Sequence, residues 1–147
     1  MTHELRLERL LEAPPEIVFD TFTDPDSQHD LYADGPDWVV ESDCDLRLGG
    51  RWTITFGPPG REPARETNVF EQIDRPQRLV YRSTMALPDG SSVETKMQIT
   101  FEPENSMTRM TIIQSGFPTA ELRDEFTGGW ASILDALRSV ATAKAAG

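Results

Sequence analysis

The chain has 147 residues, 37% of them hydrophobic and 27% charged, a globular composition sized for one ordinary domain. Its 25 acids against 14 Lys and Arg leave a formal net charge of −11. That field disfavours nucleic-acid phosphates and anionic membrane surfaces, because the basic residues are scattered rather than gathered into a stripe.

The first segment alternates. Leu5, Leu7 and Leu11 share one parity and Glu4, Arg6, Glu8 and Glu12 the other, the period-2 signature of a half-buried strand. Arg9 falls on the leucine side, so the pattern aims it inward unless a bulge swings it out. The acids within MTHELRLERLLEA and the lack of a small-residue cleavage site argue against a signal peptide. No apolar run approaches the roughly 18 residues of a membrane span. The expected compartment is therefore the cytoplasm. Ala13-Pro14-Pro15 then opens a short helix with Ile17, Val18, Phe19 and Phe22 apolar, and Asp24-Pro25-Asp26 restarts a second one with Asp24 as N-cap.

Beyond Asp34-Gly35-Pro36 the pattern is all strand. Trp38, Val40, Ser42, Cys44 and Leu46 share a parity, and after the Gly49-Gly50 turn so do Trp52, Ile54 and Phe56. Between Thr67 and Ile73 neither parity is cleanly apolar. Leu79, Tyr81, Ser83 and Met85 alternate next, and Pro88-Asp89-Gly90 signals a hairpin. Val93, Met97, Ile99 and Phe101 follow, then Met110 and Ile112 with Gln114 in the same parity. Short connections of this kind make an antiparallel meander. A long amphipathic helix closes the chain over about 119 to 142, with Thr119 as N-cap. Leu122, Phe126, Trp130, Ile133, Leu134, Leu137 and Val140 lie on one face.

The economical arrangement is an α+β domain spanning 1–147. A curved antiparallel sheet of about seven strands wraps the C-terminal helix, with two short helices after the first strand. Gly128 and Gly129 inside the helix cost about 1 kcal/mol each against alanine. They are explained by close backbone approach or by space left for a guest. Amphipathic aromatics and soft methionines on the inward face suit either a pocket or an ordinary core. On the pocket reading the sheet contributes Trp38, Trp52, Ile54, Phe56 and Tyr81, then Met97, Ile99, Met110, Ile112 and Gln114, and the helix adds Phe126, Trp130 and Leu134. Arg9 and Gln114 are the candidate polar anchors for a ligand.

Four stretches in order, ERLLEAPPEIVFDTFTDPD, DLRLGGRW, IDRPQRLVYR and SGFPTAELRDEFTGGWASILDAL, resemble the START-like (SRPBCC, helix-grip) superfamily. The branch is similar to the C-terminal domain of the activator of heat-shock protein 90 ATPase. The resemblance rests on Ala13, Pro14, Val18 and Phe19, on Thr23-Asp24-Pro25, on Asp45, Arg47, Gly49 and Gly50, and on Gly129-Trp130. It runs nearly end to end and implies the helix-grip fold. This fold hosts lipid carriers, cyclases and stress proteins alike. Two positions depart from the family pattern: Tyr32 or Trp38 stands where a tryptophan commonly follows the TDP helix, and Asn68 where a glycine commonly opens the fourth strand.

For chemistry, no nucleophile elbow, Walker loop or dinucleotide fingerprint is present, and no cofactor is expected. His29 lies among Asp24, Asp26, Asp30 and Asp34, but helix capping and solvated acids account for the cluster, and no metal is expected. Cys44 sits between Asp43 and Asp45 without a basic partner, which favours packing over nucleophilic use. The leading expectation is a non-catalytic module enclosing a small apolar molecule, whether lipid, aromatic or polyketide-like. A heat-shock protein 90 co-chaperone is the second, and a cyclase- or aromatase-like enzyme using Glu71 or Tyr81 the third. Either a monomer or a homodimer is compatible with such a sheet.

Overall fold

The computed structural model describes residues 2–35 and 37–147. Strand β1 (His3–Leu11) leads into α1 (Pro15–Thr23), a 3-10 turn (Pro25–Ser27) and α2 (Gln28–Tyr32). The meander follows as β2 (Val39–Cys44), β3 (Arg51–Gly57), β4 (Ala64–Asp74), β5 (Arg78–Ala86), β6 (Ser92–Glu104) and β7 (Met107–Phe117). Helix α3 (Ala120–Ala146) closes the chain. The strands form one curved sheet of seven in the order β1-β7-β6-β5-β4-β3-β2, every neighbour antiparallel.

Local chemistry sets the joints. Pro15 occupies the first turn of α1, and buried Thr108 on β7 donates its hydroxyl to the Ala13 carbonyl at 2.7 Å, fixing where β1 gives way to the helix. Asp24 ends α1 and caps the 3-10 turn, its carboxylate accepting from the Asp26 N–H at 3.0 Å and the Ser27 hydroxyl at 3.1 Å. The β6–β7 hairpin turns on Asn105 and Ser106, both at positive φ (53° and 68°), the twist-matched solution for a two-residue loop.

The Asp45–Gly50 turn is a structural clamp. The Gly49 N–H donates to the Phe70 carbonyl at 2.9 Å and the Phe70 N–H to the Gly50 carbonyl at 3.1 Å. A Cβ on Gly50 would stand 2.1 Å from the Asp45 carbonyl oxygen, so only glycine fits there. Beside this clamp the β4–β5 register shifts between Phe70 and Gln72. That bulge resolves the ambiguous strand: Glu66, Asn68 and Phe70 are buried before it, and Glu71 and Gln72 are exposed.

Thr119 caps α3 through its hydroxyl oxygen, which accepts from the Leu122 N–H at 3.1 Å. The helix extends past the expected 142 to Ala146, because Ala143, Lys144, Ala145 and Ala146 are good helix formers. It packs on β1, β7, α1 and α2, burying Trp130, Leu134, Leu137 and Ala141. Arg138–Glu12 (2.5 Å) and Lys144–Ser27 (3.1 Å) contacts tie its outer side to the N-terminal elements.

Beneath α1 the core is aromatic. Phe22 sits 5.3 Å from Trp52, 6.3 Å from Phe101 and 6.1 Å from Trp130, ring centre to ring centre, and Phe19 packs edge-on against Phe101 at 5.2 Å. Leu46, aimed inward by its parity, is instead 39% exposed, because β2 ends at Cys44 where the clamp begins.

Candidate functional site

Helix α3 leans toward the β1–β7 edge, and between it and the inner face of β3–β7 lies a half-open cavity of about 610 Å³. One wall is the end of α2 and the loop after it, with Leu31, Tyr32, Ala33, Asp34 and Trp38. The floor is sheet: Phe56, Ala64, Glu66, Ser83, Met85, Met97 and Gln114. The roof is α3, where Phe126, Gly128, Gly129, Trp130, Ile133 and Ala136 face the space. A Cβ on Gly128 or Gly129 would meet no atom within 4 Å. Close backbone approach therefore does not explain these glycines; both are exposed where α3 borders the cavity's open side.

A buried polar row runs through the sheet at the floor, reaching the cavity at Glu66, Ser83 and Gln114. Asn68 on β4 stands opposite Ser83 on β5, which stands opposite Thr95 on β6. Thr95 accepts from the Gln114 amide at 2.8 Å, and the Gln114 carbonyl accepts from Trp130 Nε1 at 2.8 Å, so the row ends on α3. At its other end the Asn68 amide donates to Glu66 Oε2 at 2.7 Å. Glu66, Asn68, Ser83, Thr95 and Gln114 are all at most 7% exposed.

Glu66 has no basic partner among the described residues. Its register partners are Ile54 and Met85, and adjacent Arg65 points to the outer face. Burial pushes the Glu66 carboxyl up to about 7, with the Asn68 hydrogen bond pulling the other way. The Tyr32 and Tyr81 hydroxyls have no partner among the described residues, nor does Asn68 Oδ1. Both phenols are held well above their ordinary range, chiefly by burial and secondarily by the Glu66 charge. Each orphaned buried group costs about 1–3 kcal/mol, so these groups around Glu66 are a costly arrangement for folding alone.

Of the residues expected to line a pocket, Trp38, Phe56, Met97, Gln114, Phe126 and Trp130 do so. Trp52, Ile54, Tyr81, Ile99, Met110, Ile112 and Leu134 instead lie in the packed core at no more than 1% exposure. Parity told which face they occupy, not how far along the strand α1 and α3 cover it. Arg9 does not reach the cavity: it lies on the edge strand β1, and its Nη1 donates to the Glu8 carbonyl at 3.0 Å. The Gln114 amide is engaged at both ends by the protein. Glu71 faces outward and pairs with Arg82 at 3.2 Å, which removes it as an internal acid or base.

Glu66 and Tyr32 are the groups that parity missed, the first because a carboxylate two residues from an amide reads as a solvent face. Phe70 in the same parity was the signal that this face is inward. Cys44 is half-buried, its thiol pushed up to about 11 by burial and then by Asp43 and Asp45. His29 Nε2 lies 3.2 Å from the Trp38 carbonyl oxygen, and among the described residues no group of three or more His, Cys, Asp or Glu is placed to hold a metal.

A bent antiparallel sheet gripping a long C-terminal helix, with a cavity between them, defines the START-like (SRPBCC) helix-grip class. Within it, the model of the family described as Activator of Hsp90 ATPase homolog 1-like protein matches residues 12–142, and the chain belongs to that family. A solved structure from Chromobacterium violaceum superposes with a TM-score of 0.81 at 23% identity, covering 95% of this chain and 97% of that one. One from Rhizobium loti gives 0.76 at 26% identity, covering 95% and 96%. The AHSA1-like protein from Aeromonas hydrophila gives 0.72 at 24%, covering 97% and 94%. These likenesses carry the fold. No protein of curated function matches the chain significantly. No helix among the described residues is long and apolar enough to cross a membrane.

Proposed function

We propose that the protein binds a small, largely apolar molecule between its sheet and α3, without covalent chemistry. The supporting observation is the cavity of about 610 Å³ itself, within the range of small-molecule sites. Trp38, Phe56, Met85, Met97 and Phe126 wall it, and a few polar groups gather at one place on the floor. Native mass spectrometry and thermal shift against lipids, aromatics and polyketide-like compounds test the reading. A ligand should raise the melting temperature of the wild type. It should do so less for Gly129→Leu, which sets a bulky side chain where α3 borders the cavity. No response to any compound class overturns the proposal.

A second reading, regulation of a heat-shock protein 90 ATPase, is favoured by the family match over residues 12–142. An unchanged chaperone ATPase rate on adding the protein removes it.

A further inference from the structure

We propose that the molecule taken up bears a protonated amine, seated against Glu66 with its apolar body under α3. This inference rests on the reading of the cavity as a binding site and names the ligand class. The carboxylic acids that line the cavity are Asp34, Glu66 and Glu125, and no Lys, Arg or His among the described residues joins them. Asp34 and Glu125 are exposed at the rim, whereas Glu66 is 6% exposed and engaged in no salt bridge among the described residues. A buried carboxylate without a counter-charge is a large cost that a bound cation removes.

The surrounding groups suit an ammonium head. It has three N–H donors and no acceptor, and the lining offers acceptors: the Glu66 carboxylate on the floor and the unpartnered Tyr32 hydroxyl oxygen on the wall. Beside them stand the rings of Tyr32 and Phe56, 5.1 Å apart and tilted by 57°, which attract a cation over their faces. A carboxylate ligand would meet the Glu66 charge directly. An alcohol would gain hydrogen bonds but leave that charge unmatched.

Binding is then linked to the Glu66 proton. The other titratable groups facing it are Tyr32 from α2 and Tyr81 from β5, with Cys44 of β2 beside Tyr81, and burial keeps all three protonated near neutrality. The free carboxyl titrates at about 7. Amine affinity therefore falls about tenfold per unit as pH drops below that value, whereas an alcohol accepting from protonated Glu66 strengthens over the same range.

Calorimetry on the full chain with three probes of one skeleton, naphthylethylamine, naphthylethanol and naphthylacetate, tests this at about pH 8, above the Glu66 titration. The amine should bind at least about tenfold more tightly than the alcohol, with the carboxylate weakest, and Glu66→Gln should erase the preference while keeping alcohol binding. An alcohol that binds the wild type as tightly as the amine, or an amine preference that survives Glu66→Gln, overturns the amine assignment and leaves the binding site standing. Failure of all three probes overturns the site and the assignment together. Should Glu66→Gln not fold, the wild type still decides: amine binding near pH 7 should release about half a proton, read from heats in buffers of different ionisation enthalpy. No proton release overturns the assignment.

Discussion

The inner face of the sheet has two ends built on the same alternation and put to different use. Under α1, Phe19, Phe22, Trp52, Phe70 and Phe101 interlock at no more than 2% exposure. Under α3, the same inward parity continues into Met85, Ser83 and Glu66, but the helix leans away and leaves a half-open space bordered by Phe126, Gly129 and Trp130. The difference teaches that strand pattern selects a face, whereas the element laid over that face decides between core and cavity.

Truncating one ring at each end measures this most directly. Phe22→Ala empties a fully buried site touching Trp52, Phe101 and Trp130, and should cost about 3–5 kcal/mol in urea unfolding. Phe126→Ala removes a half-buried ring whose aromatic neighbour is Phe117 at 5.1 Å, and should cost about half as much or less. Equal losses would falsify the division into packed and open ends.

The next effect is electrostatic and belongs to the open end alone. Glu66 titrates at about 7 when folded against an ordinary 4.5, so above pH 4.5 the unfolded chain releases a proton that the folded chain keeps. Its stability contribution is thus fully present below 4.5 and is lost as pH rises through about 7. The wild type should lose up to about 3 kcal/mol over that window relative to Glu66→Gln. Parallel stability curves for the two proteins, compared in urea between acid and mildly alkaline pH, would show that Glu66 is not the buried acid of the floor.

Much of the fold was legible because its signals are local. Strand alternation, the Asp24 cap, the Gly49-Gly50 turn and the α3 stripe each depend on a few neighbouring residues. The floor of the cavity was not legible, for two physical reasons. The bulge after Phe70 reverses parity within one strand, so that the sequence offered Glu71 as an inward acid and passed over Glu66. The polar row from Asn68 to Trp130 joins β4, β5, β6, β7 and α3, and no window of sequence contains it. Arg9 misled for a related reason: inward parity on the edge strand β1 does not lead to the cavity, whose lining runs from β3 to β7 and takes no residue of β1 among the described residues.

The polar row also offers a probe of how α3 is held over the open end. Trp130→Phe keeps the ring packed near Phe22 but removes the Nε1 donor, leaving the buried Gln114 carbonyl without its partner. The expected cost is about 1–3 kcal/mol. Adding Gln114→Leu should recover part of it, since removing both partners avoids the orphan. A double mutant less stable than the sum of the singles would instead mean that Gln114 supports the sheet through Thr95 more than it supports the helix.

The smallest effect separates the two ends most cleanly, because it has opposite signs for stability and for binding. Gly128→Ala and Gly129→Ala each place a methyl where no atom lies within 4 Å, on a helix where glycine is unfavourable. Each should stabilise the free protein by about 0.5–1 kcal/mol, seen as a small rise in melting temperature. The same methyl occupies roof space and should weaken capture of a molecule that fills the cavity. A stabilisation with unchanged binding would mean that the ligand sits toward Tyr32 and Phe56, away from α3. A loss of stability would mean that the helix at 128–129 is closer to its neighbours than the geometry shows, and that the open end is not open there.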